Sequence, residues 1–288
     1  MTLFSIVIPV FNRSISVLST LESVYKQRFT DFDIVVVDDG STDSLIESLS
    51  EYITRPNFLF HYQSNAGVSA ARNRGAFLSQ GKYLVFLDSD DHVTENWLLD
   101  YANEIGPIFP DLLYCGINRM RGDIVASYSD PRNPFGNTVD IGNVLPGSFC
   151  ILRSFFDLVG GYDSILSYGE NTELGLRLKL NNPFISFISA PNLLYTIQEN
   201  SHGKNSRNKM NGLLYTIKKH STLFSQHPSM KKRFLSIAGV AAIQCNEFSK
   251  ARIYFWEALY IKPFNVESVL RYVISLSPVV SRKIWKRK

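Results

Sequence analysis

The run Leu84-Val85-Phe86-Leu87-Asp88-Ser89-Asp90-Asp91 is an apolar stretch that ends abruptly in three carboxylates. A buried strand delivering Asp-x-Asp at its carboxyl end places hard oxygen ligands where an open α/β sheet forms its ligand crevice. Such oxygens suit Mg²⁺ or Mn²⁺, ions that hold phosphate oxygens and neutralise their charge. The competing explanation is a solvated turn that caps the next helix, because Asp is common at turns and N-caps. Two further segments carry reactive or ligand-holding side chains. Val35-Val36-Val37-Asp38-Asp39-Gly40-Ser41-Thr42-Asp43 repeats the pattern of an apolar run closed by carboxylates, and Asn65-Ala66-Gly67 leads into a stretch holding Arg72 and Arg74. Arginine's planar fork matches diphosphate oxygens, although an arginine on a helix is more often a surface charge.

Elements of a definite kind must position these groups. Phe4 to Val10 and Phe32 to Val37 are short apolar runs with the character of buried strands, and Phe58 to His61 is a third. Helical patterns follow the first two runs, from about Ser14 to Lys26 and after Asp43, and Ala66 to Ser79 leads to the carboxylate-bearing strand. Strands alternating with helices predict a parallel sheet with right-handed crossovers. Residues 104–146 break the alternation with Gly, Pro, Asn and short strands at Leu112 to Ile117 and Ile124 to Tyr128, as expected of an insertion lining a site. A strand at Gly147 to Leu152, a short helix at Arg153 to Val159 and a helix at Glu170 to Leu180 come next, and from Phe234 onward the pattern is helical.

In their order and spacing, Ser5-Ile6-Val7-Ile8-Pro9-Val10-Phe11-Asn12, the Asp38-Asp39 segment, the Asn65 to Gly75 segment and Phe86-Leu87-Asp88-Ser89-Asp90-Asp91 closely resemble family-2 glycosyltransferases, which have the GT-A fold. The resemblance covers about residues 3–200. It implies an α/β fold with a mixed, mostly parallel central sheet. It also implies a nucleotide-sugar site in which Asp39 meets the base, Pro9 and Phe11 form the floor beside it, and Arg72 faces the diphosphate. Asp88 and Ser89 would lie by the ribose or a metal-bound water, with Asp90 as the direct metal ligand and Asp88 as its companion. Asp91 either supports these two or caps a helix near Thr94. Asp38 and Asp39 also suit a helix cap; one is expected to cap and Asp39 to bind. Gly67 permits close backbone approach, and Asn65 shapes the helix entry.

The resemblance extends through Phe149 to Arg153, Gly160-Gly161-Tyr162-Asp163 and Gly169-Glu170-Asn171-Thr172-Glu173, the segment that approaches the acceptor in such enzymes. The usual pattern there is Glu-Asp, with the Asp assigned as general base, and Asn171 departs from it. Inversion needs a carboxylate beside the acceptor hydroxyl, worth about 10²–10⁴-fold in rate, so Glu170 is the expected base and Glu173 the reserve. Glu173 and Arg177 are alternatively an i,i+4 surface pair. His202, where relatives have a loop over the diphosphate, is a candidate for a leaving-group contact, as is Lys204.

Composition bounds the rest. No apolar run reaches the roughly 18 residues that span a bilayer, and the first residues lack the basic and small-residue marks of a signal peptide. Three scattered cysteines have no metal or disulfide spacing and read as reduced core residues of a cytoplasmic protein. Residues 201–288 hold 17 Lys/Arg against 3 Asp/Glu, a balance of +14, whereas residues 1–200 hold 13 against 23, a balance of −10. This division sets off a basic helical region over 201–288, and the resemblance implies a GT-A domain over 1–200 (nucleotide-binding half 1–103, acceptor half 104–200). The tail Arg282-Lys283-Ile284-Trp285-Lys286-Arg287-Lys288 has the composition of an anionic membrane contact at the inner face of the cell membrane. No reading motif accompanies the charge, so nucleic acid is not expected as a partner. The expected activity is inverting transfer of a sugar, by resemblance from a UDP-sugar, to a glycan or lipid-linked acceptor in surface polysaccharide synthesis. A nucleotide-sugar-binding module without turnover and a sugar-nucleotidyltransferase are the alternatives.

Overall fold

The computed structural model describes residues 2–106, 108–132, 144–197 and 205–285. They divide into two compact units. The first holds the described residues up to Ile165 and those from Asn171 to 197; the second holds Leu166–Glu170 and the described residues from Asn205 onward.

The first unit opens with β1 (Phe4–Val10), α1 (Ser16–Tyr25), β2 (Phe32–Asp38), α2 (Leu45–Ser48), α3 (Ser50–Ile53), β3 (Phe58–Tyr62), α4 (Val68–Leu78) and β4 (Tyr83–Phe86). It continues with β5 (His92–Val93), α5 (Trp97–Ile105), β6 (Leu112–Arg121), β7 (Ile124–Ser129), β8 (Phe149–Leu152), α6 (Arg153–Leu158), α7 (Glu170–Leu180, whose first residue counts with the second unit) and β9 (Ile185–Thr196). The strands form one mixed sheet in the order β3-β2-β1-β4-β8-β6-β9-β5, with β7 paired to β6. β3, β2, β1 and β4 run parallel, β8 enters antiparallel between β4 and β6, and β6 and β9 are parallel. Every residue of β1 is buried, as a central strand covered on both faces requires.

Pro9 sits in this central strand without breaking it. Val7 O accepts from Leu87 N and Val10 O from Asp39 N, so the missing N–H of Pro9 falls on the β4 side, beyond the last β1–β4 pair at Val7 and Phe86. Chain order reverses between β1 and β4. Their carboxyl ends, with that of β2, frame the crevice where open α/β sheets bind ligands. Helix α4 lies close on this part of the sheet: a Cβ at Gly75 would stand 2.3 Å from Val7 Cγ1.

Several expected boundaries move. The helix after Asp91 begins at Trp97, not near Thr94, because His92–Val93 first pairs with Leu193–Leu194 of β9. The insertion is more regular than its composition implies, since β6 runs to Arg121 and pairs with the 12-residue β9. Cys115 and Cys150 are buried and free, and Cys245 is free and half-buried.

The second unit is helical from Ser206, well before Phe234. It comprises α8 (Ser206–Lys219), α9 (Ser221–Gln226), α10 (Pro228–Gln244), α11 (Phe248–Ile261), α12 (Val266–Ser275) and α13 (Pro278–Trp285). Its core gathers Met210, Ala241, Ala242, Ile243, Ala251 and Phe255. Gly239 lets α10 meet α11 closely, because a Cβ there would stand 2.6 Å from the Phe255 ring. Trp285, which the tail composition assigns to a membrane, stacks instead on Phe255 (centroids 5.4 Å, planes 28° apart). No helix among the described residues is long and apolar enough to cross a membrane, and 286–288 lie outside them.

Candidate active site

The carboxyl ends of β1, β2 and β4 carry Pro9, Phe11, Asp38, Asp39 and Asp88 to Asp91, and hydrogen bonds hold Asp38, Asp39, Asp88 and Asp91 in place. Asp38 Oδ1 accepts from Ser41 N (2.8 Å), which makes Asp38 the residue that closes the turn after β2. Asn12, in a left-handed conformation (φ 51°), ties the β1 end to that turn: its Oδ1 accepts from Thr42 N at 2.7 Å. Asp39 is buried and braces the segment before α4. Its Oδ1 accepts from Gln63 Nε2 and Ala66 N (both 2.8 Å), and its Oδ2 accepts from Gly67 N (2.9 Å). A carboxylate has about four acceptor positions, so Oδ2 keeps one for a further donor. Gly67 takes φ +90° at the head of α4 with open space where a Cβ would lie, whereas the close approach is made by Gly40, whose Cβ would stand 2.7 Å from Asn65 N. Pro9 is buried within the strand, and Phe11 projects beyond its end, 47% exposed.

The two arginines of α4 part ways. Arg74 lies on the outer face over Phe77, while Arg72 is 2% exposed and points into the crevice. Arg72 Nη2 donates to Asp88 Oδ1 at 2.7 Å, its Nη1 reaches Asn171 Oδ1 at 3.4 Å, and its guanidinium lies 5.0 Å from the Tyr162 ring centre. Asn73, next along, clasps the Tyr162 backbone, its Nδ2 donating to Tyr162 O and its Oδ1 accepting from Tyr162 N, both at 2.8 Å. Helix α4 therefore joins the β4 loop to the Gly160-Gly161-Tyr162 turn and to the start of α7.

Asp90 forms an ion pair with Arg13 from the loop after β1, a residue that sequence reasoning passed over. The Asn12-Arg13 pair directly after a strand end was the available signal, but a lone Arg in a loop has no spacing rule to single it out. Ser89, between the two carboxylates in sequence, is buried. Asp91 is 2% exposed and does not cap a helix; its Oδ1 accepts from Thr196 N (2.8 Å), securing the end of β9 to the β4 loop. Burial first, then the negative charge of Asp88, pushes its carboxyl well above the ordinary range.

Glu170 opens α7 and Asn171 follows it. Glu173 is fully buried in a fork with Arg177: Nε donates to both oxygens (2.9 and 3.0 Å), Nη2 donates to Oε2 (2.7 Å), and Nη1 donates to Val159 O (2.5 Å). The i,i+4 pair exists, but inside the protein and not on its surface. An arginine on both oxygens and complete burial suit Glu173 to fastening α7 and not to taking a proton from an acceptor. His202 and Lys204 lie outside the described residues.

A family model described as glycosyl transferase family 2 matches residues 5–152, just over half of the chain. The chain belongs to glycosyl transferase family 2. Among curated family members, the uncharacterized glycosyltransferase YibD of Escherichia coli K12 is 39% identical over 90 residues, 31% of this chain and 26% of that protein. Glycosyltransferase GlyG of Streptococcus pneumoniae serotype 4 is 33% identical over 98 residues, 33% of each chain. The aligned stretch is thus a third or less of the length of these relatives. Among solved structures, S. aureus TarS 1–349 in complex with UDP-GlcNAc superposes with a TM-score of 0.62 at 20% identity, over 95% of this chain and 79% of that one. Mannosyltransferase PcManGT from Pyrobaculum calidifontis, in complex with GDP-Man and Mn²⁺, gives 0.60 at 10% identity over 100% of this chain and 88% of that one. At these identities the likeness establishes the fold, which is GT-A.

In this family-2 chain, no three His, Cys, Asp or Glu side chains among the described residues converge into a metal cage. Divalent ions in nucleotide sites need fewer protein ligands, because one or two carboxylates suffice when phosphate oxygens and waters complete the shell. Asp88 and Asp90 fit that requirement in kind and position. Each already faces a cation, Arg72 and Arg13 respectively, so the pocket is built for charge compensation.

Proposed function

We propose that the chain is an inverting glycosyltransferase that moves a sugar from a nucleotide-diphospho-sugar, a UDP-sugar by the family resemblance, to a hydroxyl of a glycan carried on a lipid. The observation that carries this reading is Arg72, held between Asp88 of the β4 loop and Asn171 of α7. One guanidinium thereby links the loop that would hold the donor diphosphate to the helix that would meet the acceptor. Asp39, with an acceptor position left on Oδ2, would take the imide N–H of a uracil ring beside Phe11. Arg72 would turn its fork to the diphosphate as Asp88 turns to the ribose. Asp90 with Asp88 would hold Mn²⁺ or Mg²⁺, which supplies neutralisation of the leaving diphosphate.

In the transfer, the acceptor oxygen attacks the anomeric carbon and the Glu170 carboxylate takes its proton. The carbon–oxygen bond to the β-phosphate breaks, and the nucleoside diphosphate departs with that electron pair. Asn171 favours a second reading, a module that binds nucleotide sugar without turnover. The two separate on Glu170→Gln. Donor-dependent transfer lost by at least 10²-fold, with unchanged nucleotide-induced thermal stabilisation, supports the enzyme. Stabilisation without transfer in the unaltered chain, across UDP, GDP, CMP and dTDP sugars with a lipid-linked acceptor, supports the module. Pyrophosphate release from a nucleoside triphosphate and a sugar phosphate would replace both with a nucleotidyltransferase.

A further inference from the structure

Helices α11 to α13 carry their apolar residues on the wrong side for a core. On α11, Ala251, Phe255 and Ala258 are buried, while Ile253, Trp256 and Tyr260, on the opposite face, are 55%, 53% and 78% exposed. On α12 the inversion goes further, although Tyr272 still packs on the core. Its buried residues are Ser268 and Ser275, whereas Val266, Val269, Leu270 and Val273, at helical spacing along one stripe, are all exposed. The buried residue of α13 is Ser281, with Val279, Val280 and Ile284 outward. The serines fit because their hydroxyls are satisfied: Ser275 Oγ donates to Tyr272 O of its own helix, Ser281 Oγ reaches across from α13 to Ile274 O of α12, and Ser268 Oγ donates to Asn265 Oδ1 at the head of α12. Small satisfied side chains let the helices close on one another and leave the apolar stripes facing out. Phe264, in the turn between α11 and α12, is 98% exposed. Contiguous exposed apolar surface of this kind marks an interaction site.

We infer that the outward face of α11–α13 is the surface by which this protein lies on an anionic lipid bilayer. Charge selects the occupant. Arg252, Lys283 and, in the turn after α11, Lys262 are exposed among the apolar residues, whereas Glu267 is paired with Arg271 and leaves Glu257 as the other acidic side chain of these helices. A second copy docking the same face would set cation against cation, because an isologous contact is self-complementary. An anionic leaflet attracts the cations and accepts the aliphatic stripe, and Trp256, Tyr260 and Phe264 suit the headgroup boundary. The contact thus belongs to three helices and not to the terminal Trp285, which is committed to Phe255. A lipid-linked acceptor would be met at such a surface, but the surface is argued from its own residues and does not depend on transfer.

The test is co-sedimentation of the full chain with vesicles of phosphatidylcholine alone or with about a third phosphatidylglycerol, without donor or acceptor. The expected result is binding at least tenfold stronger to the anionic vesicles. It should fall at least tenfold in Leu270→Glu/Val273→Glu, whose sites are already exposed, while the thermal midpoint holds. Quenching of Trp256 fluorescence by brominated lipid, abolished by Trp256→Phe, reports the face itself. Vesicle binding that the double variant leaves unchanged would overturn the inference. So would a dimer in sedimentation equilibrium that the double variant dissociates. Intact vesicle binding with no sugar transfer would sink the enzyme reading alone, and transfer to a soluble acceptor with no vesicle binding would sink this one alone.

Discussion

Arg72 and Arg74 are two residues apart and meet opposite fates, because a two-residue step on a helix turns a side chain by about 200°. Sequence spacing allowed either to serve the diphosphate. Only the docking of α4 through Gly75 onto Val7 decides which face looks inward. Replacing Arg72 by Lys should keep a cation beside Asp88 but lose the fork, weakening nucleotide-diphosphate binding about tenfold, or about 1.4 kcal/mol. Arg74→Ala should stay within twofold. Titration calorimetry with UDP and Mn²⁺ compares them, and equal losses would place both arginines outside the donor site. The two glutamates of α7 separate in the same manner. Glu173→Gln strands Arg177 inside the protein, where breaking a buried pair costs about 3–5 kcal/mol. A lowered thermal midpoint is therefore expected from Glu173→Gln, and lost transfer at an unchanged midpoint from Glu170→Gln. The reverse pattern would make Glu173 the base.

At the scale of elements, what is local in the chain was legible and what depends on distant partners was not. β1, β2 and β4 are short, mostly apolar runs closed by turn residues, so their existence and their carboxyl ends could be read directly. β9 could not, because Pro191 and Asn192 interrupt its alternation and a proline argues against a strand. The sheet absorbs the interruption: the β6–β9 register shifts between Cys115 and Ile117, and pairing resumes from Leu193. Trp285 shows the same dependence on distant partners. Its neighbours in sequence are cations, but its neighbour in space is Phe255, thirty residues earlier. Helix α4 offers the clearest element-level test. A methyl at Gly75 must displace Val7 or lift the helix, so Gly75→Ala should cost about 1–3 kcal/mol as an overpacked contact. It should also weaken nucleotide binding, since Arg72 rides on the same helix. Denaturant unfolding with a parallel binding titration measures both, and a neutral change would show that α4 does not rest on β1 as described.

Across the whole molecule, charge and chemistry are divided between the units. The proposed donor residues Pro9, Phe11, Asp39, Arg72, Asp88 and Asp90 belong to the first unit, within the stretch of the chain that carries a net −10. Gathering carboxylates there is costly without compensation, and Arg13 and Arg72 provide it in the absence of ligand. A nucleotide diphosphate with its divalent ion brings both more negative charge and the means to balance it, so binding should reorder the strand-end loops and leave the sheet core as it is. Hydrogen exchange with UDP and Mn²⁺ against Mn²⁺ alone is expected to gain protection at 9–14, 38–43, 65–74 and 88–91, the segments that meet at the β1, β2 and β4 ends. Amides of β6 and β8 should be unchanged apart from the uniform effect of ligand on global opening, RT ln(1 + [L]/Kd). Protection concentrated in α8–α13 instead would move the nucleotide to the helical unit, leaving the carboxylates of β4 to act only as anchors for Arg13, Arg72 and the end of β9.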